Sequence, residues 1–161
     1  MELLITTTTT NSKKHKPLRW DGKTAKGADT MLRYEKINVN PKGRKTGDCG
    51  VRALVGTLDI PYEEAIDRCA YWAKKKCYGI TDKQIMELVL KEYGYVKMKQ
   101  PRRWDNTKYT VGEMNEILTS KQMQEGVFIT IANHHTCIKN GVVQDIWDCR
   151  NKSVGNYYIK A

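Results

Sequence analysis

Long hydrophobic runs are missing from this sequence of 161 residues. Its longest apolar stretch, residues 127–132, is far shorter than the roughly 20 residues that a helix needs to cross a bilayer. The start of the chain, residues 1–5, has no basic segment, and its apolar part is too short for a secretory signal. We therefore expect no association with membranes and a cytoplasmic location.

Paired cysteines are also missing. The five cysteines are an odd number, and no two of them form a CxxC motif (Cys49, Cys69, Cys77, Cys137 and Cys149). A scattered, odd set is typical of free thiols in a reducing compartment and not of a disulfide framework. This pattern favours the same cytoplasmic location.

Acidic residues are scarce in the first third of the chain. The formal net charge is +10, of which residues 1–47 contribute +7 and the remainder +3. Residues 1–30 are low in complexity, so we predict a flexible basic arm there, with a packing role left open for Trp20, and a single domain over residues 31–161. Such an arm makes nucleic acid a weak candidate partner, although a solvated tail is the simpler interpretation.

Helical patterns dominate the first part of the predicted domain, after a short extended segment within residues 32–39. Asp48 is a suitable N-cap for a first helix whose apolar residues recur at helical spacing over residues 51–58. A second helix follows Pro61, a third runs from Thr81 as cap to Gly94, and a fourth begins with a capping box at Thr110.

The last part of the chain has the pattern of strands. Four are predicted, over residues 127–132, 134–139, 142–147 and 154–160, and Asn140-Gly141 is a strong hairpin signal between two of them. Helices followed by an antiparallel sheet predict an α+β fold.

Cys49 is the best candidate for a nucleophile, because it opens the first predicted helix. Unpaired N–H groups at a helix start favour a thiolate and can stabilise an oxyanion, and the flanking Gly47 and Gly50 would allow close approach of a substrate. The charge of Asp48 would oppose ionisation of the thiol unless its carboxylate caps the helix. Cys69, in contrast, lies at the centre of an apolar helix face and is expected to be a buried structural thiol.

A thiolate nucleophile needs an imidazole, and His134 and His135 stand where a strand begins. Because neighbours on a strand point to opposite faces, only one of them can meet Cys49. Asp145, on the next strand of the hairpin, can orient that imidazole, and Trp147 would lie on the same face and shield the contact.

This order of residues resembles that of the papain-like cysteine peptidases, and in particular small papain-like proteins of bacteriophages and bacteria. Two short stretches, about residues 37–58 and 127–160, carry the resemblance (Lys42, Gly43, Asp48, Cys49, Arg52, Ala53, Leu54, His134, Gly141, Asp145, Trp147, Asp148 and residues 155–159). It implies a papain-like fold, with a helical amino-terminal half whose catalytic helix packs on a carboxyl-terminal antiparallel sheet.

The resemblance implies a thiol-dependent hydrolase, acting on a peptide, isopeptide or other amide bond, without a cofactor. Its catalytic residues would be Cys49, His134 and Asp145, with His135 as the alternative base and Asp48 and Trp147 in support. A phage relative would act on protein or peptide in the cytoplasm of the host cell. The chain departs from the family at Gly43, where papain-like peptidases carry a glutamine that helps to hold the oxyanion. Asn40, Lys45 or Thr46, with the Cys49 N–H, would have to replace it.

Two other functions stay open. A papain-like domain without activity could use the basic arm to bind a partner, since a fold does not secure a function. Zinc is the second, because the sequence holds enough soft ligands without their usual paired spacing (Cys49, His134, His135, Cys137 and Cys149). Within that set, His135 and Cys137 share one face of a strand.

Overall fold

The computed structural model describes residues 31–161, so the predicted arm over residues 1–30, with Trp20 and His15, lies outside the described part. The chain forms four α-helices, one 3-10 helix and six strands in the order β1 (Arg33–Lys36), α1 (Cys49–Leu58), α2 (Tyr62–Lys76), α3 (Lys83–Glu92), β2 (Tyr95–Met98), the 3-10 helix (Val111–Glu116), α4 (Ser120–Glu125), β3 (Val127–Ile131), β4 (His134–Lys139), β5 (Val142–Asp145) and β6 (Tyr157–Lys160). The α+β class is therefore confirmed.

One sheet of six strands runs through the described domain, in the order β1-β5-β4-β3-β6-β2. The four carboxyl-terminal strands pair antiparallel, as predicted, but the sheet as a whole is mixed, because β1 pairs with β5 in parallel, with Arg33 opposite Val142. Strand β2 was not predicted, and it pairs with β6 across the far edge. Both additions come from segments outside the carboxyl-terminal third, so the sheet is assembled from both halves of the chain.

The sheet separates two hydrophobic cores. Helices α1, α2 and α3 cover one face, where Leu54, Ile85 and Phe128 are fully buried. The 3-10 helix and α4 cover the other, where Met114 and Ile129 are fully buried. Successive residues of a strand point to opposite faces of the sheet, and both faces of this sheet carry a hydrophobic core. Strand β3, in the middle of the sheet, is therefore an almost continuous apolar run.

Several helix boundaries differ from the prediction. The N-cap of α3 is Asp82 and not Thr81, because the Asp82 carboxylate accepts a hydrogen bond from the Gln84 N–H. The capping box at Thr110 is confirmed, but the turn that it opens is a 3-10 helix and not an α-helix. The Asn140-Gly141 hairpin is also confirmed, and both residues adopt the positive φ that its tight turn requires.

The longest helix of the described domain, α2, has 15 residues. None of the helices within residues 31–161 combines the length and the apolar character that crossing a membrane requires.

Candidate active site

Helix α1 places Cys49 at the end of the sheet by packing unusually close to β4. A side chain on Gly56 would lie 2.4 Å from the Cys137 sulfur, and one on Gly50 would lie 2.6 Å from the Met86 sulfur. These glycines, with Ala53 between them, give α1 a face without bulky side chains. The role predicted for Gly50, close approach of a substrate, was wrong, since buried side chains fill the space beside it. At Gly47, on the other side, the space is open.

The carboxylate of Asp48 does not cap α1, contrary to the prediction. It is buried and forms a salt bridge with the buried guanidinium of Arg52, one helical turn later. Asn40 Nδ2 and the Tyr62 hydroxyl also donate to it, at 2.6 Å and 2.9 Å. Arg52 therefore compensates the negative charge that would otherwise oppose ionisation of the neighbouring thiol. Sequence reasoning assigned Arg52 no such role, although its spacing of four residues from Asp48 is the signal of a helical ion pair.

The half-buried thiol of Cys49 is surrounded by hydrogen-bond donors. Burial acts to raise its pKa. Several interactions outweigh burial and lower the pKa below the ordinary value of 9.0: the hydrogen bond with the His134 ring, the backbone N–H of His135, the charge of His134 and the Gly50 N–H. The other buried thiol on a helix, Cys69, has no such donors, and burial raises its pKa to about 12.

His134 connects the thiol to a carboxylate. Its Nε2 lies 2.6 Å from Asp145 Oδ2, which leaves Nδ1 for the hydrogen bond with the Cys49 sulfur. Burial acts to lower the pKa of His134, but the hydrogen bonds with Asp145 and Cys49 raise it to about 9. The lowered pKa of the thiol and the raised pKa of the imidazole both favour the thiolate–imidazolium form of the pair.

Asp145 is held in place at the end of β5. Burial acts to raise its pKa, but the hydrogen bond from His134, the charge of His134, and the hydrogen bonds from Thr136 and the Ile146 N–H together lower it. Its second oxygen accepts from the backbone N–H of Ile146 at 2.7 Å, which diverts that N–H from the ladder and ends the strand. The prediction that β5 continues to Trp147 was therefore wrong. Trp147 nevertheless packs on His134, with ring centroids 5.2 Å apart, and is 38% exposed.

His135 points away from this pair, into the core beneath α1. Its ring lies 5.2 Å from that of Phe128, and its Nδ1 is buried with no hydrogen-bond partner in the described domain. Burial lowers the pKa of His135 to about 4, so the ring is neutral at physiological pH. Of the two predicted bases, only His134 has its ring beside the Cys49 sulfur. His135 contacts the sulfur through its backbone N–H and not through its ring.

Of the predicted substitutes for the family's glutamine, Asn40 is already engaged by other groups. Both N–H bonds of the Asn40 side chain are used, toward Asp48 and toward the Tyr62 hydroxyl at 3.2 Å. Lys45 and Thr46 are exposed. The start of α1 itself, where no side chain caps the helix, is the remaining source of donors.

The cysteines and histidines do not form a metal cluster in the described domain. All five cysteines are free, and no three His, Cys, Asp or Glu side chains of residues 31–161 are grouped so as to hold a metal ion. His135 and Cys137 do share a face of β4, as predicted, and this face packs on Gly50 and Gly56 of α1. With His15 outside the described residues, zinc binding stays a prediction.

A small cavity of about 20 Å³, the size of a single water, lies behind the site between α1 and the β4–β5 hairpin, lined in part by Cys49, Arg52 and Asp145. The substrate would therefore have to bind on the outer surface, at the end of the sheet where the thiol is half exposed.

Comparison of the chain with protein-family models, with curated proteins and with solved structures gives no significant match.

Proposed function

We propose that this protein is a thiol-dependent hydrolase of amide or ester bonds, of the peptidase, isopeptidase or amidase type, with a papain-like arrangement of its catalytic residues. The observation that carries the proposal is the chain of contacts from Cys49 through His134 to Asp145. A nucleophile beside a base that is itself oriented by a third group is the signature of covalent catalysis. Structural thiols such as Cys69 show neither partner.

Each residue has a defined part in the proposed reaction. The Cys49 thiolate attacks the substrate carbonyl carbon and forms a tetrahedral intermediate with a negative oxygen. The His134 imidazolium then gives its proton to the leaving amine or alcohol, and the carbon–nitrogen or carbon–oxygen bond breaks to leave a thioester on Cys49. Water, deprotonated by His134, hydrolyses the thioester and restores the thiol. Asp145 keeps the imidazole in the required orientation throughout.

The backbone at the start of α1 is proposed to hold the oxyanion. Asp48 is engaged with Arg52 and leaves the first turn of α1 without a side-chain cap. The N–H groups of this first turn, that of Cys49 among them, can then donate to the developing oxygen. A site with this donor and no family glutamine at Gly43 is expected to be a slower enzyme, since one missing donor costs about 10²–10³ in rate.

The resemblance to papain-like proteins of phages and bacteria supports the same chemistry. The cysteine at the start of α1, the histidine at the start of β4 and the aspartate at the end of β5 follow the family's order. A protein or peptide substrate and a cytoplasmic location, in a host cell if the gene belongs to a phage, are part of this proposal.

Formation of the thioester is the direct test. The protein is mixed with p-nitrophenyl acetate, and nitrophenolate release is followed while intact mass records acetylation. We expect a burst of about one nitrophenolate per chain and an acetyl group that neutral hydroxylamine removes. Exposed Cys77 would react too, so the experiment uses the Cys77→Gly background. Cys49→Ala should abolish the burst, and an unchanged burst in that variant would disprove the proposal.

The alternative of an inactive binding module makes the opposite prediction. Its Cys49 would acetylate no faster than an ordinary thiol, and His134→Ala would leave the rate unchanged. The matched control is His135→Leu, which removes the neighbouring imidazole that does not contact the sulfur through its ring. Under the hydrolase proposal only the His134 variant loses the burst.

A further inference from the structure

A short hairpin between β2 and the 3-10 helix is built from many local hydrogen bonds. The Arg103 N–H donates to the Thr107 carbonyl and the Asn106 N–H to the Arg103 carbonyl, both at 2.9 Å. Asp105 accepts from the N–H and the hydroxyl of Thr107, and Asn106 has a positive φ of 68°. These bonds define a tight turn with Trp104 at its tip. We call residues 99–110 the Trp104 hairpin.

The base of this hairpin is anchored to the domain. The Arg103 guanidinium lies 4.1 Å from the centre of the Tyr109 ring and forms salt bridges with Glu113 and Glu116, at 3.2 Å and 3.7 Å. Gln100 donates to the Val154 carbonyl at 2.7 Å. The tip is therefore presented on a stiff support, which lowers the entropy lost when a partner binds.

Trp104 is 98% exposed, far more than any other large hydrophobic residue of the described domain. An indole held in water on a rigid turn contributes nothing to the core. Tryptophan is the residue type most enriched at the energetic centres of protein interfaces. The hairpin thus has the composition and rigidity of a contact element.

The charge of the hairpin indicates an acidic partner. Residues 99–110 contain four basic side chains and one acid. Lys99, Arg102 and Lys108 are exposed, and no carboxylate of residues 31–161 lies within ion-pair distance of them. The single acid, Asp105, is used by Thr107 within the turn. An indole on a hairpin with three cations that have no carboxylate partner within residues 31–161 matches a segment with carboxylates and an apolar or aromatic side chain.

The register of the sheet puts this hairpin at the same end as the candidate site. The hairpin leaves β2 after Met98, which is opposite Tyr157, and Tyr157 is opposite Ile129. In the next pair of strands Ile131 is opposite His134. The end of β2, where the hairpin begins, is thus three strands from His134, about 14 Å at the usual strand spacing of about 4.8 Å.

We propose that the Trp104 hairpin is a docking element for an acidic segment of the polypeptide substrate, several residues away from the bond that is cut at Cys49. This inference deepens the proposed function and rests on it. Binding of the segment beside the indole would place the following residues across the end of the sheet. Specificity would then come from the docking segment, as well as from the residues at the thiol.

Binding can be measured without catalysis, in the full-length chain carrying Cys49→Ala. The probe is a fluorescein-labelled random copolymer of glutamate and tyrosine, and fluorescence anisotropy gives its affinity. We expect Trp104→Ala to weaken binding on the order of tenfold, as for a central interface residue. Lys99→Glu with Lys108→Glu should weaken it further and reduce its salt dependence.

The matched control is Tyr71→Ala on α2, which removes another exposed aromatic ring that lies beside cations. This variant keeps any binding by residues 1–30, so a loss specific to Trp104→Ala belongs to the hairpin. Equal affinities of the two variants would overturn the proposal. So would a Trp104-dependent affinity that is tighter for oligothymidylate or for phosphatidylserine vesicles than for the copolymer, because the partner would then be nucleic acid or membrane.

A second measurement separates docking from catalysis. In the protein with Cys49 intact, the copolymer should slow alkylation of Cys49, and Trp104→Ala should remove this protection. Binding without protection would place the partner away from the thiol and disprove the role in substrate docking. Protection in a protein that forms no thioester with p-nitrophenyl acetate would instead disprove the hydrolase and leave the docking surface standing.

Discussion

Removal of His134 gives the sharpest test of the activated thiol. Burial acts to raise the pKa of Cys49, whereas the hydrogen bond and charge of His134 are among the interactions that lower it. In His134→Ala burial remains and two of the interactions that lower the pKa are lost, so the pKa of Cys49 should rise toward the ordinary value of 9.0. At pH 7 a thiol with a pKa of 9.0 is ionised to about 1%, and alkylation requires the thiolate. We therefore expect alkylation at pH 7 to slow on the order of tenfold to a hundredfold.

The assay is the rate of iodoacetamide labelling from pH 5 to pH 10, read by peptide mass in the Cys77→Gly background. In the parent protein labelling of Cys49 should persist well below pH 9, because a thiolate paired with an imidazolium does not need alkaline conditions. Cys69, with a pKa of about 12, is the internal reference and should remain almost unlabelled at pH 7. In His134→Ala the profile should shift to alkaline pH, and in His135→Leu it should not. Identical profiles for His134→Ala and the parent would refute the reasoning.

Three further predictions concern stability and packing, each checked by thermal or urea unfolding. Gly56→Ala should destabilise the protein by about 1–3 kcal/mol, because its methyl group would lie 2.4 Å from the Cys137 sulfur. The double variant with Cys137→Ala should recover much of that loss, and no recovery would contradict the packing argument. His135 has a pKa of about 4 in the fold against 6.5 normally, so this residue should cost the protein about 3 kcal/mol of stability as the pH falls from 6.5 to 4, and His135→Leu should reduce the slope by that amount. His134 does not share in it, because its raised pKa stabilises the fold below pH 6.5 and that contribution is lost only as the pH rises toward 9. Cys77→Gly should stabilise the protein by about 0.5–1 kcal/mol, because Cys77 ends α2 with a positive φ of 57°; a lower melting temperature would contradict this.

Arg52 explains how a cysteine can follow a buried aspartate and still have a lowered pKa. The Arg52 guanidinium, one turn further along α1, pairs with Asp48 and so compensates the negative charge that would otherwise act on the thiol. Removing one member of a buried ion pair costs about 3–5 kcal/mol, so this pair also contributes to the positioning of the first turn of α1. Arg52 is therefore a positioning residue for Cys49.

Local patterns in the sequence determined much of the architecture. The apolar spacing after Cys49 predicted α1, and Asn140-Gly141 predicted the hairpin that brings His134 beside Asp145. These signals could be interpreted because helix faces, strand alternation and tight turns depend on residues only a few positions apart. Each of the three candidate residues was found from its local setting: Cys49 at a helix start, and His134 and Asp145 on the two strands of one hairpin.

The tertiary structure alone decided the features that depend on distant segments. The parallel pairing of β1 with β5 joins residues more than a hundred positions apart, and nothing in the local pattern near Arg33 specifies it. The orientation of His134 toward the thiol and of His135 into the core depends on where α1 crosses β4, which Gly50 and Gly56 permit. Close packing of this kind is set by the shapes of both partners together, so neither sequence segment reveals it by itself.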